Sequence, residues 1–86
     1  MQTIWKYPLA ITERASILVP KGATFLDVQV QRGIPCLWAL VDSAAPEEDR
    51  TIVIHGTGHL VGEGLSYIGT VQAGSLVWHV FEKRYE

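Results

Sequence analysis

The sequence predicts an all-β fold, a small antiparallel sandwich or open barrel of about six or seven strands, on three observations. Val, Ile and Thr supply 22 of the 86 residues, and they gather in short runs that Gly, Pro and Asp punctuate. Sustained helical periodicity is hard to find. Several of the runs either alternate apolar and polar residues or are apolar on both faces, as half-buried and fully covered strands are.

The elements follow in order. Thr3 to Leu9 mixes aromatic rings with one charge and ends near Pro8, which lacks the donor a central strand needs, so it belongs at a sheet edge. Ser16 to Val19 is a short strand, stopped by Pro20-Lys21-Gly22-Ala23, a turn sequence. Phe25 to Gln31 alternates, with Leu26, Val28 and Val30 expected on the core side. Gly33 turns the chain into Ile34 to Asp42, apolar on both faces and therefore central. Ser43 to Asp49 reads as a solvated acidic loop that can hold a short helical turn near residues 46–49, because proline and carboxylates suit a first helical turn. Thr51 to Ile54 is a strand, Gly56 to Gly64 is a glycine-rich connection, and Leu65 to Gln72 and Ser75 to Glu82 form a hairpin turning at Ala73-Gly74. Glu82 to Glu86 reads as a frayed charged end.

Residues 1–86 are expected to form a single β domain. Seven Lys and Arg against nine Asp and Glu give a formal charge of −2, which excludes general nucleic-acid binding by counterion release. A chain this small buries only about 60% of its unfolded surface, so association into a homo-oligomer is expected. Cys36 is the single cysteine and lies in an apolar run, so it reads as a buried, reduced, inert thiol. No apolar stretch approaches the length of a membrane helix and no signal-type segment follows Met1, so a cytoplasmic protein without membrane contact is expected.

The most informative string is His55-Gly56-Thr57-Gly58-His59. Its amides, hydroxyl and imidazoles can cradle an anion, or the string is a plain glycine-rich turn with surface histidines. It is not a dinucleotide fingerprint, because Val61 stands where a third glycine is needed and no helix follows. Zinc is not expected, since paired-ligand spacing is missing, and no cofactor is implied. Trp5, Tyr7, Trp38, Tyr67, Trp78 and Tyr85 offer flat rings for stacking on a base or for a subunit interface, Trp38 and Trp78 fitting the core best. Lys6 and Arg32 can neutralise phosphate, although solubilising charge is the commoner role.

Thr3-Ile4-Trp5-Lys6-Tyr7-Pro8-Leu9, Pro35-Cys36-Leu37-Trp38-Ala39-Leu40-Val41-Asp42, Gly56-Thr57-Gly58-His59, Tyr67-Ile68-Gly69-Thr70 and Val77-Trp78-His79-Val80-Phe81-Glu82 resemble a family of short, largely uncharacterised proteins of bacteriophages, prophages and bacteria. The resemblance spans nearly the whole chain, with Leu60 to Gly64 as its variable segment. A phage setting implies similarity in kind to oligomeric sponges that hold nucleotide-derived immune signals, such as cyclic ADP-ribose isomers, without catalysis. The ligand-binding residues expected on that basis are Trp5, Lys6, Tyr7, Arg32, His55, Gly56, Thr57, Gly58, His59 and Tyr67. A protein-interaction module acting on a host or phage partner is the alternative. A hydrolase using His55 and His59 is the least supported, because no carboxylate or nucleophile stands at a diagnostic spacing.

Overall fold

The computed structural model describes residues 1–84, and Tyr85 and Glu86, with the ring and the charge expected of them, lie outside the described residues. Seven strands appear: β1 (Gln2–Pro8), β2 (Arg14–Pro20), β3 (Thr24–Gln31), β4 (Ile34–Asp42), β5 (Glu47–Gly56), β6 (Leu65–Ala73) and β7 (Leu76–Lys83). The first sheet has the order β1-β4-β3 and the second β2-β5-β7-β6, and every pairing is antiparallel. β1 lies at an edge and β4 at the centre, as the proline and the two-sided apolar run require. The described residues include no helix, and hence none long and apolar enough to cross a membrane.

The inner faces meet in two clusters of buried residues. Leu37 from β4, Val28 from β3, Ile52 and Ile54 from β5 and Val80 from β7 form one, and Val19, Ala23, Ala39 and Val41 form the other. Tyr7, Ile17 and Phe25 pack against both, joining them. On one side the layers come together where β6 meets β3. A Cβ added at Gly69 would stand 2.7 Å from Val28 Cγ1, so only glycine permits this approach.

Three expectations about strand layout are corrected. The segment near residues 46–49 makes no helical turn: Glu47, Glu48 and Asp49 pair with Pro20, Val19 and Leu18, because ladder bonds to β2 satisfy that backbone better than one isolated helical turn can. β3 does not alternate throughout. A bulge at Leu26 shifts its register against β4 between Phe25 and Asp27, so Phe25 joins Val28 and Val30 against the core and Leu26 is 47% exposed. The last hairpin turns one residue later than expected. Ala73 pairs with Leu76, leaving Gly74-Ser75 as the loop, with Gly74 at φ 64°.

One end of the sandwich is closed by Arg50 on β5. Its Nε and Nη2 form a fork onto the Glu82 carboxylate, Nη2 at 2.9 Å from Oε1, while Nη1 donates to Ala23 O at 2.9 Å. Its guanidinium also lies 4.6 Å from the Phe25 ring centroid. The hydrogen bond to Glu82 is the main reason its pKa is raised further, so it is charged at every accessible pH. Glu82 is therefore fixed in the fold and is not part of a frayed end.

Tyr7 carries an internal cost. Its hydroxyl is buried without a hydrogen-bond partner among the described residues, and burial, helped by the negative charge of Glu47, raises its pKa above the usual tyrosine value. A raised folded-state pKa leaves stability intact below about pH 10, where tyrosine is protonated in both states, and removes it as pH climbs beyond that value. Tyr7→Phe is therefore expected to gain about 1 kcal/mol at pH 7 and to lose less stability than the parent above pH 10. Urea denaturation of both proteins at the two pH values checks this, and a destabilised variant with the parent's alkaline loss contradicts it.

Candidate functional site

Strand register sorts the expected site residues into two groups. On the first sheet, Lys6 pairs with Trp38 and faces outward, its Nζ donating to Gln31 Oε1 at 2.7 Å. That bond spans from β1 to β3 across β4, on the side where Cys36 is only 2% exposed. Trp5, opposite buried Ala39, points inward at the sheet edge, and Tyr7, opposite Leu37, is packed between the layers. Arg32 and Gly33 form the two-residue loop between β3 and β4 with φ of 52° and 78°, the signs a type I′ hairpin requires. These four residues belong to the sheet that does not carry the histidine string.

The second group gathers at the far end of β5. Gly56 pairs with Trp78 on β7 and His55 with His79, so the string's first residues continue a strand and the rest leave it as a turn. His59 folds back on its own turn, Nδ1 accepting from the Gly56 amide at 3.1 Å while its own amide donates to Gly56 O at 3.2 Å. The ring then lies so close that a Cβ at Gly56 would be 3.2 Å from His59 Cε1 and 3.4 Å from the Trp78 ring. The Gly56 amide is thus spent on the imidazole, and Nδ1 of His59 carries no proton in this arrangement.

Thr57 is tethered to the outer face of the second sheet. Its Oγ1 lies 2.9 Å from His79 Nε2, His79 Nδ1 lies 3.1 Å from Thr70 Oγ1, and Thr70 Oγ1 lies 2.6 Å from the Tyr67 hydroxyl. Four side chains from β6, β7 and the turn so form one continuous polar chain, with both imidazole nitrogens of His79 engaged. Beside it runs a row of edge-on rings. His59 and His55 are 6.3 Å apart, His55 and Phe81 6.1 Å, and Phe81 and Tyr67 5.7 Å, centroid to centroid.

The string also borders a cavity of about 540 Å³, whose walls are Trp78, Ile54, Ile11 and Leu60 with His55, His59, Thr12 and Glu13. Gly56 and Thr57 line a smaller hollow of about 300 Å³ on the other side of His59 and Trp78. No lysine or arginine lines the larger cavity. Among the described residues no cluster of three or more His, Cys, Asp or Glu is placed to hold a metal ion. The arrangement suits a ring stacked on indole and imidazole with a few directional hydrogen bonds.

Sequence reasoning missed Trp78, Glu13 and His79 as site residues. Trp78 does pack against the core, but it also walls the cavity; His79 and Glu13 reach the string only through β5–β7 pairing and the bond from Ile54 N to Glu13 O. No local motif signals either contact. The Thr57–His79 tether generates a direct test. Thr57→Val keeps the shape and removes the hydroxyl, so amide exchange at Gly58 and His59 is expected to accelerate severalfold while global stability changes by under about 1 kcal/mol. Unchanged exchange in that turn contradicts the tether.

Comparison with known proteins adds one finding. No match to the chain was found among curated proteins or solved structures. Over residues 1–86 the sequence matches the family described as Domain of unknown function (DUF7352), and the chain belongs to that family.

Proposed function

We propose that this chain is a non-catalytic binding protein that sequesters a nucleotide-derived immune signal, of the cyclic ADP-ribose or cyclic dinucleotide kind, in the cytoplasm of an infected or lysogenic bacterium. The observation that carries this reading is that His55 and His59, the two ends of the string, line a cavity of about 540 Å³ together with the Trp78 ring. A planar base has indole and imidazole surfaces to lie against, with Ile11, Ile54 and Leu60 beside them. Two of the three imidazoles have ring nitrogens engaged in structure, Nδ1 of His59 in its own turn and both nitrogens of His79 with hydroxyls, which favours holding a ligand over transferring protons. Trp5, Lys6 and Arg32 sit on the other sheet and meet such a ligand only from a second copy, so homo-oligomerisation remains part of the proposal.

A second reading, a protein-interaction module, draws on the outer face of the first sheet. There Ile4 and Ile34 are 56% and 50% exposed on either side of half-buried Trp38. Capture of a stoichiometric protein partner from host lysate, with no small-molecule binding, favours that reading.

Calorimetry with a panel of cyclic dinucleotides and ADP-ribose derivatives is the test. At least one compound is expected to bind, to bind more weakly to His55→Ala, and to be recovered chemically intact after heat denaturation. No heat from any compound, or recovery of a cleaved product, contradicts sequestration.

A further inference from the structure

Resting on that reading, we infer that the cavity on Trp78 and the cleft beside it form one bipartite site for a ribonucleoside phosphate, with the base on Trp78, the ribose diol at Glu13 and the phosphate at Arg14 and Lys83. The two chambers are contiguous and chemically opposite. The cavity of about 540 Å³ is mostly aliphatic and aromatic. A cleft of about 290 Å³ adjoins it, shares Glu13, His55 and Leu60 with it, and adds Arg14, Lys83 and Glu63.

Strand pairing explains how the cations come to this place. Arg14 opposes Val53 on β5, Val53 opposes Phe81 on β7, and Lys83 follows two residues later on the same face. Arg14 and Lys83 therefore share the outer surface of the second sheet, with Val53 at the floor of the cleft. Neither lines the cavity.

That division sets the orientation of a ligand with one flat apolar end and one anionic end. A phosphate in the Trp78 cavity meets no cation, whereas in the cleft it meets a guanidinium and an ammonium. At the junction a carboxylate accepts hydrogen bonds and donates none at neutral pH, and vicinal ribose hydroxyls are the donors of a nucleotide at that position. Glu63 works against the anion, as the charge of Glu13 does from the same cleft. The presence of Glu63 sets affinity in the moderate range and makes its removal informative.

The test uses adenosine, adenosine 5′-monophosphate and the 2′,3′-dideoxy monophosphate as probes, read by calorimetry and indole fluorescence at fixed salt. The monophosphate is expected to bind about tenfold more tightly than adenosine. Arg14→Gln is expected to erase that advantage without altering adenosine binding. Glu13→Gln is expected to remove the preference over the dideoxy compound, and Glu63→Gln to tighten monophosphate binding severalfold. Equal binding of adenosine and its monophosphate, or equal weakening of both by Arg14→Gln, overturns the bipartite site while sparing the capture reading. Silence from all three probes also overturns the bipartite site, and the capture reading then stands or falls on the calorimetric panel.

Discussion

The Arg50 guanidinium organises one end of this molecule. It reaches from β5 to the Glu82 carboxylate on the neighbouring strand, to the Ala23 carbonyl just before β3 and to the Phe25 ring. One side chain thereby ties the second sheet to the first. The ion pair is half-buried, with 18% exposure on each side chain, so it retains some water. Removing one partner of a fully buried pair costs about 3–5 kcal/mol, and partial hydration lowers that toward about 2. In a chain of this length such a loss is a large fraction of total stability.

Among the described residues the opposite end of the β5–β7 pair has no such clamp. Six residues along β5, roughly 20 Å away at the rise of an extended strand, Gly56 faces Trp78, and His59 closes only its own turn. Rings that a larger domain would bury are here left bordering a cavity. Packing at one end and vacancy at the other follow from the same limited supply of core residues.

Much of the fold was legible because it rests on local patterning. The two-sided apolar run of Ile34–Asp42 marked a central strand, and Pro8 marked an edge. The departures arose where long-range pairing overrode local preference. Leu26 looked like a core residue until a bulge displaced it, and acidic residues 47–49 looked like a loop until β2 offered their backbone partners. Site residues divided in the same way. The glycine-rich string announced itself, but Trp78 and Glu13 share a cavity with its histidines, and Arg14 and Lys83 a cleft with His55, through sheet register, which no single segment encodes.

Native-state hydrogen exchange, residue by residue and with and without bound nucleotide, tests the picture of a clamped end opposite a receptive one most directly. The account predicts the slowest exchange at Ile52 and Val80, beside the Arg50–Glu82 clamp, and fast exchange from Thr57 to Glu63 that slows when nucleotide binds. Uniform protection along β5 and its following turn, unmoved by nucleotide, would contradict it.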